Sequence, residues 1–280
     1  MTPDATHPVP TNPISGLREA IEARGAELAG TIWRHVEVVD STGSTNADLA
    51  ARAEDPDIVG TVRITTDQTA GRGRRSRIWS APPGAQLALS AVLPVGESAA
   101  KLGWLSLATG LATATAVYRH TGVRPALKWP NDVLIAERKI AGILAEYVSA
   151  PGGGIVIVGT GINTNLRTDE LPVPTATSLR IEGGEPLAAP DLAALAIEYL
   201  RALSEQGWPD HLDTIAAAYR EHCDTLGRRV RLILPGDTEI IGQAVDIDDD
   251  GRIVIEQDGG QRFPAAAGDV VHLRPLADRG

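Results

Sequence analysis

The periodicity of this chain changes once, at Gly227, and that change limits the folds open to it. Before it, β-patterned stretches alternate with helical ones. After it come five short alternating stretches, 229–234, 239–247, 252–256, 261–263 and 270–273, with no helical pattern between them. Five short strands in so few residues match the size and pattern of a small closed β-barrel. Upstream, the order of helix, strands, helix, strands and helices predicts an α+β domain, so the whole reads as an α+β domain with an all-β appendage. The 280 residues suffice for one large domain and a small one. On this reading residues 1–13 are a disordered, proline-rich segment, 14–226 the larger domain and 227–280 the barrel.

Within the larger domain, strand patterns occupy 31–39, 61–66, 85–93, 126–129, 133–136, 139–147 and 155–158. Helical patterns run over 16–28, with Ser15 as cap, and over 47–53, 101–120, 191–206 and 210–226. The stretch 171–190, broken by prolines and glycines, reads as irregular. Gly-Gly-Gly at 152–154 closes a hairpin.

The segment 71–79, Gly-Arg-Gly-Arg-Arg-Ser-Arg-Ile-Trp, lies between the strand patterns 61–66 and 85–93. Glycines let backbone approach a ligand closely, successive turn amides can form an anion nest, and arginine forks grip phosphate or carboxylate. A basic loop beside a core strand is where a small polyanion would sit; a solvated arginine turn explains the same residues equally well. Elsewhere the chain is acidic, with a net charge of −10, which opposes general nucleic-acid binding. Lysine is scarce: Lys101, Lys128 and Lys139 stand against 23 arginines. A retained lysine can mark a need for a compact ammonium group, although chance retention explains any one of them as well.

Other chemistries find little support. Cys223 is the single cysteine, beside His222, and no Cys/His pair has metal-ligand spacing. Asp246, Asp248, Asp250 and Gly251 imitate the start of a calcium loop, but Gln257 replaces the closing glutamate and both flanks have strand periodicity. Gly159-Thr160-Gly161 lacks the third glycine of a dinucleotide fingerprint, and there is no phosphate loop of the Gly-x-x-x-x-Gly-Lys-Ser/Thr type. No signal peptide or membrane-spanning run is visible, so a cytoplasmic protein without membrane partners is expected. Ser44, Thr45 and Asn46 precede a helical pattern: capping accounts for one of them, and the others could face a ligand.

Five pieces follow in one order: Gly-Ser-Thr-Asn at 43–46, Gln68 with Gly-Arg-Gly-Arg-Arg at 71–75, Lys-Trp-Pro-Asn-Asp at 128–132, Lys-Ile-Ala-Gly-Ile-Leu at 139–144 and Gly-Thr-Gly-Ile-Asn at 159–163. Together they resemble biotin–protein ligases, over the chain from about residue 40 onward. The resemblance implies a mixed-sheet catalytic domain of the biotin/lipoate protein ligase type and a C-terminal SH3-like β-barrel. It implies that biotin and ATP, with Mg²⁺ carried by the ATP phosphates, form biotinyl-5′-adenylate. The biotinyl group then passes to a lysine of a biotin carboxyl carrier domain of an acyl-CoA or pyruvate carboxylase.

By motif, Ser44, Thr45, Asn46, Gln68, Gly71, Arg72, Gly73, Arg74, Lys139 and Gly142 would bind biotin. Arg72, Arg74, Arg75, Arg77, Trp79, Lys128, Asn131, Lys139 and Asn163 would bind ATP or the adenylate. Arg74, Lys139 and Asp132 would be catalytic; Asp132 could orient the incoming amine or a metal, or merely cap its own turn. Because adenylates hydrolyse readily, the loop 71–79 is expected to order over the product. Fewer than 45 residues precede Ser44, without a helix–turn–helix pattern, so no DNA partner is expected. A lipoate–protein ligase shares the general plan; a non-enzymatic RNA-binding module is the reading from a different class, opposed by the low aromatic content.

Overall fold

The structure is a computed structural model that describes residues 16–95, 101–150 and 154–273. The expected disorder of 1–13, the Ser15 cap, most of the 152–154 turn and the tail from 274 lie outside the described residues.

Seven strands form one mixed sheet: β1 (His35–Val38), β2 (Thr61–Thr65), β3 (Gln86–Pro94), β4 (Ala126–Lys128), β5 (Asp132–Ile135), β6 (Arg138–Val148) and β7 (Ile155–Asn163). Their spatial order is β1-β2-β3-β7-β6-β5-β4, with β1 and β2 parallel and every other pair antiparallel. The parallel pair is joined through the short helix α2 (Thr45–Ala50). The interior strand β3 is buried at all but the last of its positions, in keeping with a run that is apolar apart from Gln86 and Ser90.

The two faces are covered differently. Against one pack α1 (Leu17–Ala23), α3 (Leu105–Thr121) and α5 (Ala189–Glu205), which enclose the main core with Leu89, Ile143 and Ile162. Thr160 reaches from this face to the Tyr199 hydroxyl of α5, at 3.0 Å. The other face is covered at one end only, where Leu49 of α2 packs with Ile58, Val92, Ile155 and Ile157. Residues two apart on a strand share a face. Gly159 and Gly161 therefore continue the line of Ile155 and Ile157 with no side chain, and Gly142 lies directly opposite Gly161 in the ladder. The result is a bare strip on the sheet.

Several boundaries differ from the sequence reading. The helix expected over 16–28 stops at Ala23, and Gly25–Leu28 forms a 3₁₀ turn, consistent with the poor helix propensity of glycine. The first strand is confined to His35–Val38 because the Arg34 and His35 amides both turn to the Gly60 carbonyl. The helix expected at 47–53 begins at Thr45, because Ser44 is its cap. Strand β7 continues past 158 to Asn163, so Gly159 and Gly161 lie within it. The irregular stretch 171–190 contains α4 (Leu179–Gly183), whose Ile181 amide donates to the Ser178 hydroxyl at 3.1 Å. The last helix, α6 (Leu212–His222), ends where Cys223 bridges to Leu127 beside β4.

The C-terminal strands are β8 (Arg229–Ile233), β9 (Glu239–Ile247), β10 (Ile253–Glu256), β11 (Arg262–Ala265) and β12 (Asp269–His272). They form an antiparallel sheet in the order β11-β10-β9-β8-β12. Its β9–β10 hairpin docks on the larger sheet: Trp104 and Trp129 donate indole N–H bonds to the Asp249 and Gly251 carbonyls, at 2.9 and 3.1 Å. Asp248 is consumed within that turn, accepting from the Asp250 and Arg252 amides and pairing with the Arg252 guanidinium at 2.7 Å. Burial and the nearby Lys128 depress the His272 pKa to about 4, so this ring beside the Thr225 hydroxyl is neutral at pH 7.

The docking leaves no room at Gly103, where an added Cβ would lie 2.1 Å from the Asp250 carbonyl oxygen. Gly103→Ala should therefore destabilise the chain by about 1–3 kcal/mol through overpacking, read as a lower urea midpoint. A midpoint equal to that of the parent would show that the hairpin can back away freely.

Candidate active site

The bare strip of Gly142, Gly159 and Gly161 floors a cavity of about 510 Å³. Two side chains use the space that the glycines leave. A Cβ on Gly161 would lie 2.5 Å from the Trp79 indole, and one on Gly159 would lie 2.2 Å from the Asn46 amide oxygen. Trp79 is fixed there by its indole N–H, which donates to Gln86 Oε1 at 2.8 Å, with the Lys139 ammonium 5.6 Å from its ring centre.

Trp79 also closes the arginine segment into a flap. Its amide donates to the Gly71 carbonyl at 2.9 Å, Arg72 bridges to Ile78, and the Gly73 amide donates to the Arg77 carbonyl at 2.8 Å. Gly71 is required at the base, because a Cβ would meet the Trp79 carbonyl oxygen at 2.4 Å. The tip is a 3₁₀ turn at Arg74–Ser76.

The end of the cavity under α2 is lined by neutral polar side chains and is densely bonded. Gln68 Oε1 accepts from the Thr45 amide at 2.9 Å and from the Thr45 hydroxyl at 3.1 Å. Ser90 Oγ lies 2.7 Å from Thr45 Oγ1 and 2.5 Å from Asn46 Oδ1. The Asn46 amide group donates to the Leu144 carbonyl and to Glu146, at 3.2 and 2.7 Å. Ser44, Thr45 and Asn46 are all buried despite their polarity, and such groups are stable only when hydrogen-bonded in this way.

Charge lines the rest of the cavity. Arg72 pairs at 2.8 Å with the Glu146 oxygen that also accepts from Asn46, bordering the α2 end, and Lys139 pairs with Asp132 at 2.5 Å. Arg77 and Arg75 both pair with Asp269 of β12. Among the described residues Arg74 has only a neutral hydrogen-bond partner, Asn131 Oδ1 at 3.2 Å, which is aimed by the Asn131 amide donating to the Ile143 carbonyl at 2.8 Å. Lys128 also lines the cavity, and the two carboxylates of the lining, Asp132 and Asp269, are engaged by Lys139 and by Arg75 and Arg77. Burial lowers the pKa of Arg74 and Lys128, although Asp269 and Asp132 respectively oppose the shift. Half-buried cations without a counter-charge are costly, and an entering anion relieves that cost.

One cavity thus gathers Ser44, Thr45, Asn46, Gln68, Arg72, Gly73, Arg74, Arg77, Trp79, Lys128, Asn131, Asp132, Lys139, Gly142 and Asn163. Arg75, expected at the nucleotide, is instead turned outward to the barrel, and Gly71 shapes the base of the flap without lining the cavity. Asn163 lines it while its amide group holds the Thr177 carbonyl at 2.9 Å. The reading from sequence did not name Ser90, Glu146 or Asp269, and it includes Gly159 and Gly161 in a motif without placing them in the site. The segment read as irregular contributes Pro172, Val173, Thr175 and Ala176 to the wall, held to Lys139 by backbone bonds at 2.7 and 2.9 Å.

Among the described residues no group of three or more His, Cys, Asp or Glu side chains could hold a metal ion. With both lining carboxylates already paired, Mg²⁺ fits this cavity only as part of a nucleotide's phosphate chelate.

Residues 37–163 match the model of the biotin/lipoate A/B protein ligase family, and residues 225–273 that of the biotin protein ligase C-terminal domain. The chain is 46% identical, over 88% of its length and 92% of the relative's, to the biotin–[acetyl-CoA-carboxylase] ligase of Mycobacterium tuberculosis. It belongs to the biotin protein ligase family. It is also 34% identical to the bifunctional ligase/repressor BirA of Escherichia coli, over 83% of this chain and 72% of that protein. Among solved structures, the Aquifex aeolicus biotin protein ligase in complex with biotin and ATP superposes with a TM-score of 0.70 at 26% identity, covering 87% of this chain and all of that one.

Inorganic pyrophosphate should bind the cavity of this family member, and Arg74→Ala or Lys128→Ala should each weaken it by roughly tenfold in calorimetry, the scale of one charged hydrogen bond. Unchanged affinity in both variants would contradict the assignment of this wall to an anion.

Proposed function

We propose that the chain activates biotin with ATP to biotinyl-5′-adenylate and pyrophosphate, then transfers the biotinyl group to a lysine of a biotin carboxyl carrier domain. The observation that carries this reading is the pairing, in one cavity, of a densely hydrogen-bonded end of neutral polar side chains under α2 with Arg74 and Lys128, which have no direct ion pair among the described residues. A ligand that is apolar and amide-like at one end and polyanionic at the other matches both. The same reading treats 14–226 as the catalytic unit and 227–280 as the barrel. Printed names of the relatives point to acetyl-CoA carboxylase as the carrier's parent enzyme, and to biotin over lipoate as the acid. A cytoplasmic location follows from those substrates.

The first step joins a carboxylate oxygen of biotin to the α-phosphorus and breaks the bond from phosphorus to pyrophosphate. Both reactants are anions, so the protein's contribution is positive charge and alignment. Arg74 and Lys139 would stabilise the charge on the α-phosphate, with Arg72 turned from Glu146 towards the acid. Lys128 would meet the leaving phosphates. Trp79 would present its ring to the adenine, with Asn131 and Asn163 beside the nucleotide. Ser44, Thr45, Asn46 and Gln68 would hold the uncharged ring system of biotin over Gly142.

In the second step the acceptor amine attacks the acyl carbon, the acyl–oxygen bond breaks, and AMP leaves with the bonding pair. Asp132 lies against Lys139 and would orient the amine. Incubation with biotin, MgATP and a carrier domain should add one biotinyl group to the carrier by mass. Arg74→Ala and Lys139→Ala should each lower kcat/KM by about 10²–10³-fold. Absence of biotin-dependent pyrophosphate release by the parent would contradict the reading.

A further inference from the structure

The flap carries Arg74, Arg75 and Arg77 at and beside its tip; Arg74 and Arg77 line the cavity, and Arg75 points away from it. Arg75 donates to Asp269 at 2.9 Å and to the Leu234 carbonyl at 3.4 Å; Arg77 donates to the other oxygen of the same carboxylate. These partners come from the barrel, 192 and 194 residues from Arg77 and Arg75 respectively for the Asp269 contacts. The backbone at the tip needs such support. Arg75 and Ser76 take successive left-handed conformations, φ 54° and 60°, without glycine at either position. Non-glycine residues persist there only when surrounding contacts over-determine them.

We propose that Asp269 is a positioning residue that latches the arginine flap to the barrel, holding Arg75 outside and Arg77 at the cavity rim so that Arg74 faces inward. One carboxylate serves two guanidinium groups at the start of β12, where Asp269 is opposite Ile233 in the β8 ladder. Burial acts to raise the Asp269 carboxyl, yet its arginine contacts hold it below the usual carboxylate range. The carboxylate is therefore charged, and the latch is set, throughout the neutral range. The barrel thereby gains a part in the chemistry: it keeps a reactive acyl phosphate away from water until the acceptor arrives. This inference rests on the reading of the cavity as an adenylate site, since only a hydrolysable intermediate requires a closed flap.

The test uses the full chain with Asp269→Asn and Asp269→Glu, digested briefly by an arginine-specific protease with and without biotin and ATP. AMP formed per biotinyl group transferred is measured in parallel. The Asn variant should be cut within 71–79 about five- to tenfold faster than the parent, and should waste several-fold more AMP per transfer. The Glu variant should return both readings to within about twofold of the parent. Parent-like flap cleavage in the Asn variant would overturn the proposal. So would faster cleavage throughout the chain with a lowered melting temperature, which marks Asp269 as a support of the barrel fold alone. Cleavage of the ligand-free protein reports the latch even if the parent forms no adenylate, so the two readings fail separately.

Discussion

Two half-buried cations with no direct ion pair among the described residues, Arg74 and Lys128, govern the organisation of this molecule. A folded chain does not hold such groups at a cavity wall without cost. Here the cost is carried by the rest of the fold: the sheet supplies a rigid floor, the flap brings Arg74 over it, and the neighbouring charges are already paired. Because Asp132 faces Lys139 while Asp269 faces Arg75 and Arg77, the remaining positive potential is concentrated on one side of the cavity. Electrostatic preorganisation of this kind acts where charge meets charge during acyl activation.

That wall depends on backbone packing as much as on charge. Gly142 and Gly161 face each other across β6 and β7, and Trp79 lies in the space they leave. The backbone amide of Trp79 in turn sets the base of the flap by donating to the Gly71 carbonyl. A single methyl group on the floor would thus disturb the aromatic, the flap and Arg74 together. Covering one sheet face with α1, α3 and α5 while leaving the other partly bare is what makes a concave site on a flat element.

Much of this was legible in the sequence, and the remainder follows a physical pattern. The strands β2, β3 and β6 and the helices α3 and α5 declared themselves through local periodicity, which needs no knowledge of distant contacts. The arginine segment and the Lys-Trp-Pro-Asn-Asp turn stood out because their composition is unusual for so acidic a chain. Hidden were the features created by pairing across the fold. Asp269 meets a flap nearly two hundred residues away, and no local rule links the two. Glu146 sits on an ordinary strand, and its contacts with Arg72 and Asn46 exist only after the sheet is assembled. Gly159 and Gly161 did carry a signal, since glycines two apart in a strand vacate one face for a close approach. A strand pattern ending at 158 hid that role. Arg75 could not be separated from Arg74 by sequence, because the left-handed turn at the tip decides which of them faces inward.

The most direct test is a crystal structure of the chain with a non-hydrolysable mimic of biotinyl-5′-adenylate. The account predicts the phosphate mimic within hydrogen-bonding distance of Arg74 and Lys139, the adenine on Trp79, and Arg75 still on Asp269. A phosphate mimic held by Arg75 and Arg77, with Arg74 turned to solvent, would contradict it.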